Sequence, residues 1–220
     1  MSGESIAIEV VSDVVCPWCF IGKRRLEKAL ALLKRKDAHV HWKAFELNPD
    51  APKEGMNRAA YRARKFGSPA YAQQLEAHVM TAGAEEGIGF RFDRIERVPN
   101  TFDARRLIWL GGQEGIQDAM VENLFRAYFI DAEDVGKPEV LDRIGIQSGL
   151  DSGRVAKFLA GDSGRNEVLA DQRRARAQGI NGVPTFLVNG QPVMSGAQMP
   201  DLLASVLAPV LGQCSLEDCV

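Results

Sequence analysis

Cys16-Pro17-Trp18-Cys19 stands where a β-branched apolar run gives way to a helical pattern, and few folds carry a close cysteine pair at such a junction. Residues 6–15 have the composition of a buried strand, and residues 17–36 switch to helical period. Proline is favoured at the first helical position, so Pro17 opens the helix and Cys16 caps it. Side chains at i and i+3 lie about 5–6 Å apart, within the separation that a disulfide tolerates. Cys19, Gly22, Leu26, Ala29, Leu30 and Leu33 share one face, which must be the core side. That pattern predicts a buried Cys19 and a Cys16 left exposed in the first turn. An accessible sulfur would attack and a shielded one would resolve, and a helix N-terminus favours the thiolate at the first position. The competing reading of Cys-x2-Cys is half of a zinc site, which needs a second Cys/His pair nearby.

The remaining chain reads as strands at both ends with helices between. Residues 39–47 alternate, with Val40, Trp42 and Ala44 on one face, and Pro49 and Pro52 end the strand. Strand, helix, strand within the first 50 residues fits a βαβ unit with a parallel pair. Helical patterns then cover residues 58–67, 69–86, 102–111, 115–128, 138–145 and 163–178, with Gly67, Gly87, Gly111, Gly112, Gly149, Gly161 and Gly179 as stops. Asn189-Gly190 between residues 185–188 and 191–194 predicts a hairpin. A stripe from Met199 to Leu211 predicts a last helix. The expected organisation is a βαβ part over residues 1–56, a helical insertion with return helix over 57–178, a hairpin and helix over 179–212, and a tail over 213–220.

Composition narrows the function classes. Twenty-seven basic against 29 acidic residues give a net charge of −2, which argues against nucleic acid as a partner. No apolar run reaches the about 18 residues of a membrane span. The start, with Glu4 and no positive segment before an apolar stretch, shows no export signal, so a cytoplasmic location is expected. Four cysteines are too few for a disulfide scaffold. No phosphate-binding glycine loop, dinucleotide fingerprint or zinc-protease motif occurs, so no cofactor and no metal are expected. His39, His41 and His78 read as solvated, as do the basic runs 34–36 and 173–176. Trp109, Phe125, Tyr128 and Phe129 fall at helical spacing and read as core of the insertion, with some lining a substrate groove.

Gly182-Val183-Pro184-Thr185-Phe186, taken with Ser12-Asp13-x-x-Cys16-Pro17-Trp18-Cys19, resembles the DsbA branch of the thioredoxin superfamily. Pro99-Asn100-Thr101-x-x-Ala104, Arg126-Ala127-Tyr128-Phe129, Val188-Asn189-Gly190 and Ser195-Gly196-Ala197-Gln198 resemble its FrnE-type subgroup, and the resemblance spans about residues 6–212. It implies a thioredoxin fold with a large helical insertion between the second and third strands. It also implies a cis Val183–Pro184 bond packed against the active-site pair, with Val183 offering its backbone to substrate. Cys16 and Cys19 inherit the nucleophilic and resolving roles, and Pro17 and Trp18 join Val183 in substrate binding. Three positions depart from the family pattern. Val10 stands where a buried acid often assists the resolving thiol, leaving Asp13 and Glu46 as substitutes. Trp18 replaces a histidine found in strongly oxidising members, which implies a milder redox potential. Arg105 stands where histidine is common.

Three functions follow from these readings. The first is a thiol–disulfide oxidoreductase, and also an isomerase, acting on protein or small-molecule disulfides. The second is a glutathione-dependent isomerase or transferase of the kappa or hydroxychromene-carboxylate type, whose members typically carry serine where Cys16 stands. The third is a metal-binding or partner-holding protein. It would use Cys214 and Cys219 together with the helical insertion, with Glu217 and Asp218 as further metal ligands. That C-terminal pair also reads as an auxiliary redox pair, since closing so short a loop adds little stability, or as part of a disordered tail.

Overall fold

The computed structural model describes residues 7–35 and 38–211. Its elements are β1 (Ala7–Ser12), α1 (Pro17–Leu32), β2 (His39–Ala44), β3 (Met56–Asn57), α2 (Arg58–Phe66), α3 (Pro69–Glu85), β4 (Arg97–Val98), α4 (Phe102–Gln113) and α5 (Gln117–Phe129). They continue with α6 (Pro138–Gln147), α7 (Arg154–Ala160), α8 (Arg165–Ala177), β5 (Thr185–Val188), β6 (Gln191–Ser195) and α9 (Pro200–Val210). Cys214 and Cys219 lie outside the described residues.

The central sheet has the order β2-β1-β5-β6. β1 and β2 run parallel with Val10 opposite Trp42, as a βαβ unit requires, while β5 is antiparallel to both β1 and β6. Asn189 and Gly190 both take positive φ, 51° and 73°, which is the backbone that a two-residue hairpin turn demands. This is a thioredoxin fold in which the helices α2 to α8 are inserted between β2 and β5.

The two faces of the sheet are covered from different parts of the chain. Ile8, Val10, Phe186 and Val188 belong to one large core with Leu26 of α1 and Leu203 and Leu207 of α9. Val11 and Leu187 face the other way, with Ala175 of α8 and Ile180. The large core runs without a break into the insertion. Phe20 of α1 stacks on Phe125 of α5 at 5.1 Å and meets Phe90 edge-on at 6.2 Å. Lys23, buried on the same helix, reaches Asp118 of α5 at 3.0 Å. Aromatic packing, with a buried lysine paired to the more exposed Asp118, therefore holds the insertion against the helix that carries Cys16 and Cys19.

Two helical expectations need correction. Gly111 and Gly112 do not stop a helix but lie inside α4. A Cβ on Gly111 would come within 3.2 Å of Met120 Cβ and 3.3 Å of Gln117 Cα, so the glycine serves the close approach of α4 and α5. Residues 154–160 form α7, which no sequence pattern above predicts. With only Val155 fully buried, so short a helix carries almost no amphipathic period of its own.

Candidate active site

Cys16 is the N-cap of α1, with Pro17 at the first helical position and extended backbone at φ −95° and ψ 112°. Its backbone amide donates to Asp13 O at 3.0 Å, and the amide of Cys19 donates back to Cys16 O at 3.0 Å. The partial positive charge of the helix N-terminus therefore lies at the first sulfur. Cys16 and Cys19 are not joined by a disulfide here.

The predicted contrast in exposure is wrong. Cys19 is fully buried, but Cys16 is only 5% exposed. Residues remote in sequence cover it. On one side the Val183–Pro184 loop approaches, with its peptide bond cis, and Cys16 Sγ donates to Val183 O at 3.5 Å. On the other side the insertion builds a cavity of about 320 Å³, into which Cys16 opens together with Pro17 and Trp18. Access to this sulfur is thus through a walled pocket beside a backbone carbonyl. Pro184 itself packs on α1 at Gly22.

The two sulfurs differ in their surroundings. Burial holds the Cys19 thiol well above the ordinary thiol value, and the neighbouring Cys16 side chain pushes it further in the same direction. The Asp13 backbone and the Ser12 side chain act in the opposite sense by hydrogen bonding to it.

Asp13 and Glu46, considered above as proton-transfer groups, are engaged elsewhere. The carboxylate of Asp13 pairs with Arg105 at 2.7 Å, both side chains being 1% exposed. It also accepts the backbone amides of Val15 at 3.2 Å and Leu47 at 2.9 Å. Arg105 donates to Phe45 O at 2.6 and 2.9 Å and to Thr101 Oγ1, and it pairs with Glu46 at 3.4 Å. Glu46 in turn accepts from Gln172 of α8 at 3.0 Å. The network ties the loop before Cys16 to the end of β2, to α4 and to α8. Arg105 is therefore a buried structural cation, with its donors used by the protein itself.

Tyr128 and Phe129 of α5, two of the aromatics singled out by their spacing, line this cavity, whereas several other lining residues carried no signal of their own in the sequence. Leu75 and Val79 come from α3, and Phe92 and Ile95 from the segment before β4. Arg58, Tyr61, Arg62 and Lys65 of α2 complete it. His78 is exposed, as predicted, yet its ring packs on Trp18 at 5.3 Å, so it stands at the mouth of the site. The dense basic run of α2 was the available clue, although nothing local shows which way it faces. Among the described residues no three His, Cys, Asp or Glu side chains gather to hold a metal.

Residues 7–208 match the family model of the DSBA-like thioredoxin domain. The chain belongs to the DsbA-like thioredoxin family. A probable DsbA oxidoreductase from Streptomyces coelicolor superposes with a TM-score of 0.87 at 32% identity, covering 96% of this chain and 92% of that one. The DsbA-like fold is also shared with the cytosolic disulfide reductase DsbM of Pseudomonas aeruginosa, solved with GSH, at a TM-score of 0.64 and 19% identity, covering 94% and 99%. The uncharacterized protein YwbO of Bacillus subtilis (strain 168) is 24% identical over 205 residues, 93% of this DsbA-like chain and 96% of its own. Membership supports an oxidoreductase acting on thiols or disulfides.

Proposed function

We propose that this DsbA-like protein is a thiol–disulfide oxidoreductase in which Cys16 attacks, Cys19 resolves, and Val183 with Pro184 shapes the substrate site. The observation that carries the reading is the Cys16 sulfur at a helix N-terminus, 3.5 Å from the Val183 carbonyl and opening into a cavity. A substrate strand laid along Val183 would have its disulfide beside that sulfur, a form of strand addition.

The chemistry follows from the difference between the sulfurs. The Cys16 thiolate attacks one sulfur of the substrate disulfide, forming a mixed disulfide and expelling the other half as a thiolate, which takes up a proton. Cys16 then no longer bears charge, so its push on the Cys19 proton is lifted. The hydrogen bonds from Ser12 and the Asp13 backbone remain and favour the Cys19 thiolate. The Cys19 thiolate attacks the Cys16 sulfur, the second half of the substrate leaves as a thiolate that takes up a proton, and the protein, now an intramolecular disulfide, has given two electrons to the substrate. Run backwards, the same steps oxidise a dithiol, and stopping at the mixed disulfide permits isomerisation. The reading places the protein in the cytoplasm, where the thiol pool favours net reduction. A cytosolic disulfide reductase of the same fold supports that direction.

The glutathione-dependent isomerase reading has less support, because position 16 is cysteine rather than serine. The test is insulin reduction with dithiothreitol by the wild-type chain and by Cys16→Ser. Wild-type turnover lost in the variant supports the proposal, and undiminished turnover in the variant overturns it.

A further inference from the structure

The cavity beside Cys16 has a composition that a general protein-disulfide site does not need. Its walls are apolar, built by Val15, Leu75, Val79, Phe92, Tyr128 and Phe129. Its rim on α2 is cationic, with Arg58, Arg62 and Lys65 against a single acid, Glu76. Glu76 pairs with Arg58 at 2.9 Å and Arg62 at 2.7 Å, so one carboxylate is shared by two guanidinium groups. Arg58 is further occupied by Phe92 O at 3.3 Å. Lys65 donates to the Tyr61 hydroxyl at 2.7 Å and lies over the Tyr61 and Phe66 rings, contacts that leave its charge uncompensated. In a chain of net charge −2, this rim is a local excess of positive charge.

The helix that carries these cations is itself incompletely covered. α2 has no buried residue, although Tyr61 and Phe66 turn half-buried rings to the cavity. Short helices draw most of their stability from packing an apolar face, and here that face looks onto open space of about 320 Å³. That volume suits a compact ligand rather than a folded chain, being at the low end of small-molecule sites.

Resting on the oxidoreductase reading above, we infer that the cavity binds low-molecular-weight disulfides or thiols with an apolar, aryl or alkyl body and an anionic group, the body against α3 and α5 and the anion at Arg62 and Lys65. The sulfur of such a molecule would lie at Cys16. The exchange is the one already written: the Cys16–substrate bond forms as the substrate S–S bond breaks, and Cys19 then closes the internal disulfide. Pre-reduced protein supplies both electrons, so a single turnover needs no further reductant.

The test is single-turnover oxidation of the reduced full chain by three probes: the carboxylated aryl disulfide dithiobis(nitrobenzoate), the uncharged dithiodipyridine and the cationic cystamine. For the wild type, the rate with the carboxylated probe should saturate with concentration, while cystamine stays linear. Each probe's rate is divided by its rate with a small reference thiol, which removes intrinsic reactivity. The preference for the carboxylated over the uncharged probe should then fall about five- to tenfold in Lys65→Gln/Arg62→Gln and invert in Lys65→Glu. Taking the ratio of two probes on one variant cancels any change in the Cys16 thiolate population. Linear kinetics with every probe, or an unchanged ratio in both variants, overturns the inference while insulin reduction stands. Insulin reduction that survives Cys16→Ser instead brings down the reading beneath it.

Discussion

The ring of Pro184 occupies the space that a side chain on Gly22 would fill: a Cβ built there comes within 2.8 Å of Pro184 Cγ and 3.5 Å of Phe186 Cζ. The loop that brings Val183 to Cys16 therefore rests on the bare backbone of the second turn of α1. Gly22→Ala should destabilise the fold by about 1–3 kcal/mol, as overpacking of a filled core does, despite alanine's better helix propensity. It should also slow exchange, because the Val183 carbonyl moves with Pro184. Urea unfolding and insulin reduction measure the two effects, and a variant of wild-type stability and rate would show that the contact yields freely.

Replacing Cys19 by serine separates attack from resolution. Cys16 retains its place at the helix N-terminus, so the first exchange still occurs, but nothing displaces the bound half of the substrate. Cys19→Ser should therefore accumulate a covalent adduct at Cys16, visible as an added mass that dithiothreitol removes. Adducts forming equally in Cys16→Ser would contradict the assignment.

Arg105 joins Asp13 and Glu46 where water does not reach, so removing it strands a buried carboxylate. Arg105→Met should cost about 3–5 kcal/mol. The double variant Arg105→Met/Asp13→Asn should recover part of that loss, since no unpaired charge then remains at position 13. Denaturant unfolding of the set would reveal additive effects if the pair were not coupled.

The buried Cys19 thiol gives the reduced protein a pH signature. Its proton is held more tightly in the folded than in the unfolded chain. The stability it contributes is thus fully present below the unfolded thiol value of about 8.5 and is lost as pH rises towards the folded one. Between pH about 8 and about 9.5, reduced wild type should lose stability by up to about 1.4 kcal/mol per pH unit, with the slope flattened in Cys19→Ala. Tyr128, whose burial also raises it above the ordinary tyrosine value, adds to the decline only at higher pH. Parallel slopes for the two proteins would mean that Cys19 does not titrate as a shielded thiol.

Elements with a strong local period were legible in the sequence, and so was the fold once the paired motifs suggested a family. The helix after Cys16, the parallel strand through Trp42 and the Asn189-Gly190 turn each depend on neighbours a few residues away. The spacing of Cys16 and Cys19 likewise set them one turn apart at a helix start. Short α7 and the glycines within α4 escaped because the first buries too little to show a period and the second answer to α5, not to their own helix.

Tertiary structure alone decided what surrounds the sulfur. Helical periodicity ranks the faces of one helix, and on that basis it put Cys16 in solvent. Burial, however, is the sum of everything that arrives from elsewhere. Val183 lies 167 positions from Cys16, and the cavity walls come from α2, α3 and α5. Arg105 became a buried cation because three separate segments placed acceptors around it. Spacing along the chain determined that two cysteines could react with each other; contacts between distant segments determined what else can reach them.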